Sequence, residues 1–200
     1  MTRPSRPDLR SLILGLAAVA AAAFLLVYFG TRGPSSPNNE TTVAIGGPFS
    51  LIDQDGKKRS DADFRGSLML VYFGYTSCPD VCPLTLQNMS SALTALGDKG
   101  QSVVPLFITI DPERDSVAKM KEYAARFSPR LVALSGAPAD IAAAAKAYRV
   151  YFAKHEESGG GYSMDHTSLI YLMDRDGHYL THFSPDVNPQ DMAAGIAKFL

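Results

Sequence analysis

Two apolar runs, Leu68 to Phe73 and Val103 to Ile110, constrain the fold of this chain more than any other feature. Neither alternates polar with apolar residues, so each reads as a strand buried on both faces. Between them Leu84, Leu86, Met89, Leu93 and Leu96 recur at the spacing of an amphipathic helix that opens at Pro83. Strand, helix and second buried strand call for a right-handed crossover and parallel pairing. The pattern continues with a helix over Val117 to Phe127 that Asp115-Ser116 can cap, a short strand Leu131 to Leu134, and an alanine-rich helix Ala139 to Tyr148.

Turn chemistry predicts two hairpins around this largely parallel centre. Phe49 to Ile52 enters Asp53-Gln54-Asp55-Gly56 and pairs with a strand near Lys58-Arg59. His166 to Met173 and His178 to Phe183 flank Asp174-Arg175-Asp176-Gly177, and Asn188-Pro189 caps a last helix reaching Leu200. The order is that of an α/β, thioredoxin-like fold with a central mixed sheet and an N-terminal β-hairpin. His155, beside Glu156, Glu157 and glycines 159 to 161, is expected on a mobile solvated loop.

Ahead of this domain, Ser11 to Gly30 carries no charge. As a helix it spans roughly 30 Å, about one hydrocarbon core. Small residues at Ala21 to Ala23 allow a cleaved signal peptide instead, but Phe24 to Phe29 carries the apolar run beyond a typical signal core. The reading is therefore one transmembrane helix. Arg3, Arg6 and Arg10 before it, against Arg32 just after it, put the N-terminus in the cytoplasm and the domain in the periplasm of a bacterial-type inner membrane, or an equivalent space. The chain thus divides into a cytoplasmic tail (1–10), an anchor (11–30), a polar linker (31–42) and one domain (43–200). The net charge of −1 offers no general attraction to nucleic acid.

The chain has two cysteines, in Cys78-Pro79-Asp80-Val81-Cys82, directly after the first buried strand and at the start of a helix. Functional groups of open α/β sheets gather at the carboxyl ends of strands, and a helix N-terminus favours the thiolate. Both sulfurs are expected to be exposed and to converge on one atom. Thiolates are soft donors that select Cu(I), and one imidazole added to them also suits Cu(II). Of four histidines, His166 is best placed, since Met164-Asp165-His166-Thr167 precedes a strand after the longest loop. His178 and His182 read as a solvated hairpin face. Asp111, at the end of the second buried strand, is a candidate contact to a ligand or partner, and Asp115 reads as a helix cap. Met164 reads equally as an axial sulfur or an apolar anchor.

With these residues placed, the chain resembles the Sco/SenC family, the copper chaperones of cytochrome c oxidase assembly. The resemblance runs from Gly46 to the C-terminus. It rests on Gly46-Gly47-Pro48-Phe49 with its Asp-Gln-Asp-Gly turn, on Tyr72-Phe73-Gly74-Tyr75 leading into Cys78 to Pro83, on Asp111 to Asp115, and on Asp165-His166-Thr167. It implies a thioredoxin-like domain behind an N-terminal anchor, copper held by Cys78, Cys82 and His166, and an influence of Asp111 on that site. The implied client is the oxidase subunit with the dinuclear copper centre, or another copper protein.

The rival is a thiol–disulfide reductase in which Cys78 and Cys82 form a redox-active disulfide and keep a client's cysteines reduced. Such reductases usually separate their cysteines by two residues and place a cis-proline opposite. Three residues intervene here, and no proline lies at His166-Thr167. A peroxidase would need more than Arg114 near one acidic cysteine, and zinc ranks below copper for want of a hydrolase pocket. The expectation is a copper carrier, not an enzyme, with thiol–disulfide exchange as an accessory activity.

Overall fold

The structure, a computed structural model, describes residues 19–20, 22–26, 28 and 44–200. The chain divides into two compact units, residues 1–42 and 43–200. In the first, the described residues are helical and exposed. Among the described residues no helix is long and apolar enough to cross a membrane. The expected tail 1–10, most of the anchor 11–30 and the linker 31–42 lie outside them.

The second unit is built on a seven-stranded mixed sheet ordered β2-β1-β5-β4-β3-β8-β9. Strand β3 (Leu68–Gly74) pairs in parallel with β4 (Val103–Thr109), Leu68 opposite Val103, and β4 pairs in parallel with β5 (Val132–Ser135). Every residue of β3 is buried, which explains why its sequence does not alternate. The outer strands run antiparallel: β1 (Ser50–Asp53) beside β5 and β2 (Lys58–Ser60), and β8 (Ile170–Met173) between β3 and β9 (Tyr179–Phe183). This is the expected thioredoxin-like order, with parallel pairing confined to the three central strands.

Both outer hairpins turn on the same device. Asp53 Oδ1 accepts from the amides of Asp55 and Lys57 at 3.0 and 2.9 Å, and Gly56 supplies φ +79°. Asp174 Oδ1 accepts from Asp176 and His178 at 2.9 and 2.8 Å, with Gly177 at φ +84°. A short carboxylate closes each turn and glycine supplies the left-handed residue.

Four helices cover the sheet: α1 (Val81–Ala95), α2 (Val117–Ala124), α3 (Pro138–Ala147) and α4 (Pro189–Ala197). Ser116 caps α2 by accepting from the Lys119 amide, and Asn188 caps α4 by accepting from Asp191 at 2.8 Å. Helices α1 and α4 pack side by side, and Asn88 of α1 donates to the Val187 carbonyl just before α4.

One element departs from expectation. The segment around His155 is not a loop but strand β6 (Phe152–Glu156), paired antiparallel with β7 (Tyr162–His166) in a separate two-stranded sheet, Phe152 opposite His166. His155 itself is exposed. Lys154, His155 and Glu156 face solvent, so the strand lacks the apolar alternation by which strands are read. The expected strand from His166 to Met173 is accordingly two: β7 ends at His166 and β8 begins at Ile170.

Candidate metal centre

The cysteines emerge where β3 stops. Gly74 ends the strand, residues 75–80 form a loop, and α1 begins at Val81. The loop is fastened at its base by Asp115, whose side chain is wholly buried. Its carboxylate accepts from the Thr76 amide at 3.0 Å, from Thr76 Oγ1 at 2.5 Å and from Thr109 Oγ1 at 2.6 Å. Asp115 is therefore not the helix cap that its position suggested. Ser116 takes that role, and Asp115 ties the cysteine loop to the end of β4.

Helix α1 starts earlier than Pro83, which places Cys82 in its first turn and Cys78 in the loop before it. The two thiols are not equivalent. Cys78 is partly exposed whereas Cys82 is fully buried, correcting the expectation that both reach solvent. Cys82 turns inward because β3 leaves room for it. Its Sγ accepts from Tyr72 Oη at 3.4 Å, and a Cβ added at Gly74 would lie 2.8 Å from it. A strand glycine marks close approach of another group, and here that group is a candidate ligand. Gly74→Ala would also meet Phe107 at 3.0 Å and Tyr72 at 3.1 Å. We expect it to cost about 1–3 kcal/mol by overpacking and to displace Cys82, seen as a lower thermal midpoint together with weaker metal binding.

His166 completes the group from the end of β7. Its Nε2 lies 3.7 Å from Cys82 Sγ, and its Nδ1 lies 3.1 Å from the Thr167 carbonyl oxygen. A carbonyl only accepts, so Nδ1 carries the proton and the Nε2 lone pair faces the sulfur. That is the tautomer a metal needs. The rings of Tyr75 and Tyr72 meet the imidazole edge-on at centroid distances of 6.0 and 6.2 Å.

The thiols differ electrostatically as well. Cys78 is lowered to about 4, chiefly because the Cys82 thiol donates to its thiolate; the amides of Cys82 and Asp80 add to this, while partial burial opposes it. The Cys82 amide lies 3.4 Å from Cys78 Sγ. Cys82 is pushed up by the same hydrogen bond and by burial. The helix N-terminus thus acts through one thiol only, and a metal ion must displace the Cys82 proton to gain both sulfurs. Cys78 should be alkylated by iodoacetamide at a nearly constant rate from pH 8 to pH 5.5, where an ordinary thiol slows about tenfold per unit. Cys82 should react only in denaturant. A Cys78 rate that falls through this range, read by mass spectrometry, would refute the assignment.

Asp111 is buried and committed: its Oδ2 pairs with Arg114 Nε and its Oδ1 accepts from Tyr162 Oη at 2.8 Å. Met164 is buried on β7 and lines a cavity of about 250 Å³ with Phe152 and Tyr162. Lys119 Nζ reaches Ser77 Oγ at 3.0 Å. The hairpin histidines lie elsewhere, His178 against Asp174 at 3.3 Å and His182 against Tyr179 Oη at 2.5 Å. Sequence reasoning gave Tyr72 and Gly74 only as part of a motif, took Asp115 for a cap and passed over Thr76. Of these only Gly74 carried a local signal, a glycine closing an otherwise apolar strand.

The donor set suits a soft metal: two thiols, one half-exposed, and an imidazole with its free nitrogen turned toward them. Comparison with known proteins points the same way. The SCO1/SenC family model matches residues 37–200. The solved structure of Bradyrhizobium japonicum ScoI with copper bound is 48% identical, with a TM-score of 0.73, covering 78% of this chain and 100% of that one. The mitochondrial protein SCO1 homolog 1 of Arabidopsis thaliana is 38% identical over 84% of this chain and 49% of its own, so this chain spans about half the length of that relative. The structure of BsSco, a member of the Sco family of cytochrome c oxidase assembly proteins with a disulfide switch, is 25% identical with a TM-score of 0.63, covering 78% of this chain and 93% of that one.

Proposed function

Because the chain belongs to the SCO1/SenC family, we propose that it is a membrane-anchored protein that binds copper through Cys78, Cys82 and His166 and delivers it to a cuproprotein client, the dinuclear copper centre of cytochrome c oxidase. The observation that carries this reading is the His166 imidazole, whose Nδ1 faces a carbonyl and whose Nε2 faces Cys82 Sγ at 3.7 Å. Both copper states suit the donors. Two thiolates and Cu(I) sum to −1, which the amide donors around Cys78 offset, and two thiolates and Cu(II) sum to zero. Half-exposure of Cys78 leaves one ligand open to a partner, which a carrier needs and a buried structural site does not. The membrane arm of the proposal rests on the uncharged stretch 11–30 and on the arginines before it, which favour a domain outside the cytoplasm.

One observation favours a second reading. An acidic Cys78 beside a protonated Cys82 is the pairing of attacking and resolving thiols in a reductase. Cys78 thiolate would attack one sulfur of a client disulfide, expelling the other as the first thiol and leaving a mixed disulfide; Cys82, giving up its proton to the leaving sulfur, would then attack Cys78 Sγ and release the client's second thiol as the Cys78–Cys82 disulfide forms. One titration separates the readings: the reduced full-length chain in detergent is titrated with Cu(II), and separately with Cu(I) under anaerobic conditions. A thiolate-to-copper charge-transfer band that saturates at one equivalent supports the carrier. Oxidation of the thiols by Cu(II), with Cu(I) bound no better than by a variant lacking both cysteines, would replace it with the reductase.

A further inference from the structure

The hairpin β6–β7 that carries His166 forms no ladder with the seven-stranded sheet, so side chains must set where its imidazole stands. Tyr162, Met164 and His166 alternate onto one face of β7, and Met164 buries that face against the domain while Asp165 is exposed. Arg114, in the loop after β4, grips this face. Its Nη1 donates to the Tyr162 carbonyl at 2.7 Å, its guanidinium lies 3.7 Å from the Tyr162 ring centroid, and its Nε pairs with Asp111. Asp111 in turn accepts from Tyr162 Oη at 2.8 Å. The guanidinium also lies 5.7 Å from the ring of Tyr75, the residue that packs edge-on against His166 and whose carbonyl accepts from the Cys78 amide at 3.2 Å.

We infer that Arg114 is a positioning residue for the metal centre: by clamping Tyr162 and backing Tyr75 it holds the His166 strand against the cysteine loop, and so keeps the imidazole within reach of a metal on the two sulfurs. The inference rests on the copper reading above. Only an arginine meets these demands together, since its planar fork spends one edge on a carboxylate, another on a carbonyl, and its face on a ring. Loosening the clamp removes the imidazole and leaves the thiols in place, because Cys82 is held by α1 and Tyr72 and the cysteine loop by Asp115. Cu(I), satisfied by two thiolates, should notice little. Cu(II), which needs the nitrogen, should notice a great deal.

The test compares full-length wild type with Arg114→Lys, Arg114→Met and His166→Ala in detergent, measuring Cu(I) and Cu(II) affinities and the electron paramagnetic resonance spectrum of the Cu(II) form. Lysine keeps the charge and loses the fork. The expected result for both Arg114 variants is a fall of about tenfold to a hundredfold in Cu(II) affinity with loss of imidazole-nitrogen splitting, while Cu(I) affinity stays within about threefold. Equal losses for both ions, or none for either, would overturn the proposal. If His166→Ala itself kept Cu(II) affinity and nitrogen splitting, the ligand assignment would fail instead. Tyr162→Leu removes ring and hydroxyl from the other side of the clamp and carries the same test should the Arg114 variants not fold, with folding followed by circular dichroism.

Discussion

Replacing Cys82 with serine is expected to weaken copper binding by roughly a hundred- to a thousandfold and to leave Cys78 a far less acidic thiol. The affinity figure takes about a quarter of the binding free energy of a four-ligand structural metal site for each ligand lost. The second effect follows from cause: the largest influence lowering Cys78 is the hydrogen bond donated by Cys82. A serine hydroxyl is shorter and cannot fill the sulfur's place between Tyr72 and Gly74. Cys78→Ser should cost as much copper but leave Cys82 unreactive, because Cys82 is buried against Tyr72 and Gly74. His166→Ala should separate the oxidation states, weakening Cu(II) far more than Cu(I). Competition titrations with chelators of known affinity measure all three. Copper affinities that stay within threefold of wild type in both serine variants would remove the cysteines from the site.

The second large effect concerns a residue that touches no metal. Asp115→Ala is expected to destabilise the domain by about 3–5 kcal/mol, because it leaves the Thr76 amide, the Thr76 hydroxyl and the Thr109 hydroxyl without their acceptor. A domain of ordinary stability holds only about 5–15 kcal/mol in total. The loss should lower the urea midpoint by about 2 M at a typical slope. Lys119, whose Nζ lies 3.6 Å from Asp115 Oδ1, would lose its ion-pair partner and keep its bond to Ser77 Oγ. Folded molecules that remain should bind copper less tightly, since Thr76 sits two residues before Cys78 and its amide is the loop's tether. A midpoint shift below about 0.5 M would mean that water replaces the carboxylate as acceptor, and that the loop does not depend on it.

Much of this architecture was legible in the chain. The buried runs in β3 and β4 announced a parallel core, because strands covered on both faces have no reason to alternate. Asp53 to Gly56 and Asp174 to Gly177 announced their hairpins, because short carboxylates and a left-handed glycine are what such turns require. Ser116 and Asn188 stood where helices begin. The hairpin β6–β7 was not legible, since Lys154, His155 and Glu156 look outward and nothing in their order distinguishes a solvated strand from a loop. Asp115 was misread for a related reason. Beside Ser116 it has the local look of a cap, and its true partner Thr76 lies 39 residues away.

The sequence by itself determined the order of strands and helices in and around the seven-stranded sheet and the candidate donors Cys78, Cys82 and His166, because periodicity, turn chemistry and ligand softness act over a few residues. Only the tertiary structure decided that Cys82 is buried while Cys78 faces solvent, that the His166 imidazole turns Nε2 toward a sulfur 84 residues away, and that Arg114 and Asp115 hold the two halves of the site. Burial, tautomer and anchoring depend on which distant side chains meet, and that is set by packing rather than by neighbours along the chain.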